Sequence, residues 1–412
     1  MISPMRDLIF VSLEDWDDIW RRNQFLCAAW ARRFPASRIL FVGQPQLLPL
    51  HLKDGTLARL LRRPAWRVPG LPNITATYVP KPLFNPIPGG RRLNEAAARA
   101  HITKIARQAG LRDPLLWLNP NDAGHLVGRL NERGVVYDIT DDWELAESGE
   151  ARRAQVAALD RALCRRADLT IVCSQALYDS RLAFARRLLL LPNGVDAAHY
   201  QEASAPSARH WPGPTFGYTG TLHPERIDLD LILALARAHP AGSVVLVGPN
   251  NWQDGALERA VREVPNIHLA GPVPYAQVPS EMARFDVCTV PHRQSPFVES
   301  LNPIKLWEYL ACGKPIVASN VAGFRDYPQF CRIASTPAEF LKAADEALEE
   351  ARQGPDSAVA QARRAEAARH SWESRLDSLL EALRGCDLLG SQAPQASQAS
   401  QAPQAPQAKA GA

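Results

Sequence analysis

Nowhere in the 412 residues do roughly 20 uncharged apolar residues follow one another, so no segment reads as a membrane-spanning helix. Cysteine is sparse and unpaired. Cys27, Cys164, Cys173, Cys288, Cys312, Cys331 and Cys386 form no Cys-x-x-Cys and share no spacing with histidines, which argues against a zinc module or a disulfide scaffold. They read as reduced, mostly buried thiols, the usage expected of a cytoplasmic protein. The opening "MISPMRDLIFVSLEDWDDIW" lacks the apolar stretch of a signal peptide and reads as a first β-strand. A strong excess of charge is missing too. The net charge is +4, although residues 1–205 sum to +7 and residues 206–412 to −3. That asymmetry admits an anionic partner for the first half, beside the plainer reading of solvated helix faces.

What is present is a regular alternation. Apolar, β-branched runs at 7–12, 38–43, 74–79, 114–119, 135–140 and 168–173, then at 215–220, 243–248, 266–271, 286–291 and 314–319, are separated by helical patterns. This predicts an α/β protein with two doubly wound, Rossmann-like parallel sheets. A Pro-, Gly- and Ser-rich stretch at 191–214 reads as the linker, giving a first domain at 1–205 and a second at 206–387. From Leu388 on, Gln-Ala-Pro and Gln-Ala-Ser repeats predict a disordered tail at 388–412.

Ligands of such sheets bind at loops leaving the carboxyl ends of strands, where helix N-termini also point. In "ESLNPIKLWEYLACGKPIVAS" (299–319), Asn302-Pro303 reads as a helix start, with Asn302 as the N-cap. Lys305 then falls in the first turn and Glu308 near the same face, among residues too apolar for a solvated surface. A phosphate at the helix start and a sugar hydroxyl beside Glu308 would satisfy both charges. An ordinary surface ion pair is the alternative.

These residues resemble the nucleotide-sugar segment of family 4 retaining glycosyltransferases with the GT-B fold, and within them the bacterial subgroup acting in teichuronic acid and other cell-surface polysaccharide synthesis. "VVYDITDDW" (135–143), "ADLTIVCSQAL" (167–177), "LPNGVD" (191–196), "FGYTGTL" (216–222) and "HSWESRLDSLL" (370–380) resemble the subgroup in the same order. The resemblance implies ribose binding by Glu308. The family's first glutamate falls at Ser300, with Glu299 beside it, so Ser300 or Glu299 would act at the reacting sugar. Gly220 permits close backbone approach, and Thr221, Arg226, Arg293, Asn302 and Lys305 complete the expected donor site. His125 matches loosely the family's active-site histidine.

Asp142, in the crowded "DITDD" run, is a further catalytic candidate, with cap chemistry as its alternative. In "EDWDDIWRRNQFL" (14–26), Trp16, Arg21, Arg22 and Gln24, with Asn121 after the strand at 114–119, suggest an acceptor site if they are not core. "DLD" at 228–230 reads as helix surface and not as a metal motif.

The resemblance implies a retaining hexosyltransferase that needs neither metal nor cofactor. It would use a nucleotide-diphosphate sugar as donor and a glycan or lipid-linked acceptor. No nucleic-acid partner is expected, and the site of action would be the cytoplasm, with peripheral contact to an anionic inner membrane face. A catalytically silent relative that binds nucleotide sugar or glycan, and a nucleotide-sugar epimerase, are the alternatives.

Overall fold

The computed structural model describes residues 7–17, 19–58, 64–147, 149–201 and 209–389. The apolar runs form two sheets. The first comprises β1 (Leu8–Val11), β2 (Ile39–Leu47), β3 (Ala65–Val68), β4 (Leu71–Lys81), β5 (Leu115–Leu118), β6 (Gly134–Ile139), β7 (Leu169–Val172) and β8 (Leu188–Leu190). Their order is β3-β4-β2-β1-β5-β6-β7-β8, all parallel except that β3 is antiparallel to β4. The second comprises β9 (Thr215–Thr219), β10 (Ser243–Val247), β11 (Ile267–Gly271), β12 (Val287–Val290), β13 (Ile316–Ser319) and β14 (Cys331–Ala334). Their order is β11-β10-β9-β12-β13-β14, parallel throughout. The central strands are buried along their whole length, as parallel strands covered on both faces must be.

All eleven expected strands are present. The three unforeseen ones, β3, β8 and β14, are edge strands of four, three and four residues.

The first core centres on Phe10, stacked against Phe41 at 5.7 Å and Trp117 at 5.1 Å between ring centroids. Helix Arg22–Arg33 covers it with Cys27, Ala28 and Trp30. The last helix, Trp372–Gly385, packs on this same core, with Trp372 stacked on Phe25 at 5.0 Å and Leu376, Leu379, Leu380 and Leu383 buried. A segment expected in the second domain therefore returns to the first.

The expected tail starts too early. Leu388 and Leu389 are buried in the first core, and Leu388 packs so tightly over Gly134 that a Cβ there would collide with it. Two apolar side chains just ahead of the polar repeat were enough to extend the folded chain. The rest of that expectation, residues 390–412, lies outside the described residues. The 191–214 stretch is also more than a linker, because it carries helix Ala197–Gln201 with Tyr200 buried.

Each sheet reverses its winding at one point, between β1 and β5 in the first and between β9 and β12 in the second. A crevice opens at such switch points, beyond the carboxyl ends of the strands. Loops at the carboxyl ends of strands of both sheets meet across the domain boundary. Asp141, after β6, pairs with Arg226 at 3.0 Å, and Ser174 Oγ donates to the Ser300 carbonyl at 2.6 Å.

Candidate functional site

The turn after β9 needs glycine. Gly220 has φ of +130°, a conformation that side chains resist, and a Cβ on it would come within 3.2 Å of Lys305 Nζ. Gly248, at the end of the neighbouring β10, has φ of +145° and lies against the Gly220 carbonyl. Neither glycine contributes a side chain, so the switch point here is a notch of bare backbone with the Lys305 ammonium beside it.

Helix Ile304–Cys312 begins one residue before Lys305 and ends at Gly313, whose φ of +73° makes the left-handed cap. Lys305 Nζ stands 5.1 Å from the Tyr218 ring centroid, and the Tyr218 hydroxyl lies 3.3 Å from His292 Nε2. No carboxylate lies within ion-pairing distance of Lys305 among the described residues. His292 is buried, and burial, then Lys305 and Arg226, depress its pKa well below the ordinary value. It therefore stays neutral. The notch brings together the Lys305 ammonium and the Arg226 guanidinium, the latter already paired with Asp141, and favours an anion.

Glu308 lies one turn along from Lys305. Its Oε1 accepts a hydrogen bond from the Tyr200 hydroxyl at 2.7 Å. Burial raises its pKa, against the Tyr200 hydrogen bond, Lys305 and His199. Its surroundings are aromatic: His199 stacks on Tyr275 at 4.3 Å, and the Tyr275 hydroxyl is buried with no hydrogen-bond partner among the described residues. Trp20 of the first domain lies parallel to Tyr275 at 6.2 Å. Glu308 is thus half-buried rather than the exposed carboxylate a plain surface pair would need. Oε2 has no hydrogen-bond partner among the described residues and remains available to a ligand hydroxyl.

Gly220, Arg226, Lys305 and Glu308 therefore converge. Thr221 is half-buried beside the same turn. Arg293 braces it, donating from Nε to the Pro224 and Ile227 carbonyls at 3.0 Å each, and its own N–H binds the Arg226 carbonyl.

Other expected site residues are engaged elsewhere. Asn302 does not cap the helix, because Pro303 holds that position; its Oδ1 accepts from the Asn193 N–H at 2.8 Å, joining the linker to the second domain. The Arg22 guanidinium is buried and grips Asp138 through two nitrogens, the Leu191 carbonyl at 2.9 Å and Asn193 Oδ1 at 3.0 Å, leaving nothing for an acceptor. Gln24 is buried and binds the Arg21 N–H at 3.0 Å, bracing the start of its own helix.

Asp142 is buried in a pair with Arg181 at 2.6 Å, and Arg181 also reaches Asp160 at 3.1 Å. Ser300 is buried with its hydroxyl on the Phe297 carbonyl at 2.7 Å, and Glu299 pairs with Arg325. His125 Nδ1 lies 3.0 Å from the carbonyl of Asp122, within its own turn. Trp16 packs edge-on against Phe41 at 4.9 Å as part of the core. Arg21 is half-buried near Glu14 at 3.6 Å, and Asn121 opens the short turn after β5, beside the first switch point. Asp228 caps helix Leu229–Ala238 by accepting from Leu231 N at 3.2 Å, while Asp230 is exposed. Among the described residues, no group of three or more His, Cys, Asp or Glu is placed to hold a metal ion.

The first switch point holds a residue that the sequence pattern did not single out. Glu14, on the loop after β1, accepts from Asn23 Nδ2 at 3.2 Å and is 26% exposed. Burial, then the Asp141 and Asp17 carboxylates against Arg21, push its pKa up to about 7. A raised native pKa means that the fold prefers the protonated acid, so its contribution is full below the unfolded value and fades as pH climbs towards 7. Glu14→Gln should therefore change the melting temperature little near pH 5 and raise it by a few degrees relative to wild type near pH 8. Parallel melting curves would show no such divergence if the carboxyl were unperturbed.

A separate cavity of about 440 Å³ opens at the domain seam, lined by residues including Ser174, Asn302, Trp307, Arg325 and His370. Gly220, Lys305 and Glu308 are not part of its wall, so it is distinct from the charged notch.

The family model described as "Glycosyl transferases group 1" matches residues 213–350. A Bacillus subtilis (strain 168) protein, TuaH, named as a teichuronic acid biosynthesis glycosyltransferase, is 28% identical over 201 residues, 45% of this chain and 50% of that protein. The match thus spans about half of that relative's length. Among solved structures, the sucrose-phosphate synthase of Thermosynechococcus elongatus aligns over 92% of this chain and 98% of its own, with 15% identity and a TM-score of 0.69. Anabaena HepE in complex with UDP-glucose aligns over 92% of this chain and 100% of its own, with 18% identity and a TM-score of 0.64.

Proposed function

We propose that this chain, which has the GT-B fold and a second domain of the family 4 glycosyltransferase kind, moves a hexose-type sugar from a nucleotide diphosphate to a glycan or lipid-linked acceptor, with retention, in cell-surface polysaccharide synthesis. The observation that carries this reading is the notch at the second switch point, where Lys305, without a carboxylate partner among the described residues, stands beside Gly220 and one turn from the half-buried Glu308. Phosphate oxygens in the notch meet Lys305, backbone N–H groups and Arg226 once it leaves Asp141. Ribose hydroxyls donate to Glu308. HepE was solved with UDP and with UDP-glucose, which makes uridine the first base to test.

Transfer then needs positioning and charge stabilisation. As the bond from the sugar to phosphate breaks, negative charge grows on the departing diphosphate, where the cations are already in place. A phosphate oxygen on the same face takes the proton of the incoming hydroxyl, so the configuration is kept. Glu14 and Asn121, at the first switch point, face the acceptor side. The chemistry assigns no role to a metal ion.

A thermal-shift screen tests the donor assignment, since a ligand that binds only the folded state raises its melting temperature. One of the uridine, guanosine or adenosine diphosphates should raise it, with the same shift in excess EDTA. No shift with any of them, or a shift abolished by EDTA and restored by manganese, would overturn the reading.

A further inference from the structure

Five of the nine large apolar side chains that are exposed among the described residues lie on two neighbouring segments of the first domain: Leu50 and Leu52 in helix Leu48–Lys53, and Phe84, Ile87 and Leu93 around the start of helix Gly90–Gln108. They are between 43% and 68% exposed. The segments leave the sheet together, because Leu47 at the end of β2 is register-paired with Lys81 at the end of β4. These are the carboxyl ends of the strands, next to β1 and its Glu14 loop.

The 82–90 segment is held in shape. Asn94 is buried, accepts from Leu83 N–H at 3.0 Å, and donates to the Leu83 carbonyl at 2.8 Å and Asn85 Oδ1 at 2.9 Å. Ile87 N–H binds the Phe84 carbonyl at 3.2 Å, and Gly90 N–H binds the Ile87 carbonyl at 2.8 Å. A loop tied this closely could have turned Phe84 and Ile87 inward, yet it presents them to solvent. Grouped exposure of this kind marks an interaction surface rather than scattered surface residues.

Charge names the partner. Residues 81–108 carry six Lys and Arg and one acid, Glu95, which pairs with Arg91 at 2.8 Å. Arg91, Arg92, Arg99 and Arg107 are exposed along the helix that starts at the apolar cluster. Apolar side chains for insertion beside cations for headgroups match an anionic lipid surface.

We propose that the face formed by helix Leu48–Lys53 and residues 82–93 docks on an anionic bilayer, with the basic helix Gly90–Gln108 against the headgroups. The inference deepens the transferase reading, since it brings the mouth of the acceptor side to the surface where a lipid-linked acceptor lies. It is measured without reference to activity.

The test is co-sedimentation of the full chain with phosphatidylcholine vesicles, with and without phosphatidylglycerol. Binding should need phosphatidylglycerol and fade as added salt shortens the screening length from about 10 Å towards 3 Å. Phe84→Ser with Ile87→Ser, and separately Arg91→Glu with Arg92→Glu, should each weaken it by about ten-fold or more. Titration of a nucleoside diphosphate into the same variants should be unchanged, so failure here is distinct from failure of the donor site. In wild type, hydrogen exchange in residues 82–93 should slow when the anionic vesicles are added, a readout independent of whether the variants fold. Equal binding to both vesicles, no binding to either, or wild-type self-association lost in the Phe84/Ile87 variant would overturn the proposal, the last by making the face a contact between copies of the chain.

Discussion

Lys305→Ala is expected to weaken binding of a nucleoside diphosphate by about ten- to a hundred-fold while leaving affinity for the free nucleoside almost unchanged, the equivalent of about 1.5–3 kcal/mol for a charge-assisted hydrogen bond. The asymmetry comes from geometry. Lys305 stands over the Gly220 turn, where phosphates would lie, with its Nζ 5.1 Å from the Tyr218 ring centroid. Because no carboxylate of the fold pairs with Lys305 among the described residues, removing the ammonium should barely move the melting temperature. Glu308→Gln should behave differently and weaken nucleoside and nucleoside diphosphate alike, since the proposed site sets it against the ribose; the amide oxygen can still accept from Tyr200. Calorimetric titration of both ligands into both variants, beside their melting curves, makes the check. Unchanged affinity with a lower melting temperature would make the Lys305–Glu308 face structural.

Arg22→Met should be the more damaging change to the fold. Asp138 is fully buried and its carboxylate is held by the Arg22 guanidinium at 3.1 Å, with Leu191 and Asn193 on the remaining donor nitrogen. Taking away one partner strands a buried charge, at a cost of about 3–5 kcal/mol, or a fall in melting temperature of roughly 10 °C. Replacing both partners with apolar residues, Arg22→Met with Asp138→Leu, should recover much of that loss, because no charge is then left uncompensated. The single variant should also weaken nucleotide binding, since Asn193 connects Arg22 to Asn302 ahead of the donor helix. A melting temperature within a degree or so of wild type would show that water reaches Asp138 and replaces the guanidinium.

These two sites differ in how far the sequence reveals them. Lys305 and Glu308 stood out because two charges interrupt an apolar helix whose ends are marked by Pro303 and Gly313, and both signals are local. Arg22 and Asp138 are 116 residues apart, and nothing near either announces the other. Reading Arg22 and Gln24 as acceptor contacts treated polarity as exposure, whereas both are buried with their hydrogen bonds satisfied. Asp142, Ser300 and Asn302 are likewise each engaged by a partner distant in sequence: Arg181, Asp142 N–H and Asn193.

The strands divide similarly. Those buried on both faces write themselves as continuous apolar runs, while Arg67 in β3 and Arg332 in β14 interrupt the run and β8 has only three residues. Leu388 and Leu389 were hidden by the Gln-Ala-Pro and Gln-Ala-Ser repeats that begin just beyond them. Tyr200 was hidden by the polar stretch around it, yet it holds Glu308.

Whether the cationic notch serves sugar transfer is tested most directly by following label from UDP-glucose and other nucleotide sugars into a membrane extract supplied with the purified chain. With wild type, label should pass into the lipid or glycan fraction as nucleoside diphosphate is released, and Lys305→Ala, folded and melting as wild type does, should lose that incorporation. Saturable binding of a nucleotide sugar with no transfer from any of them, or incorporation unaffected by Lys305→Ala, would contradict the account.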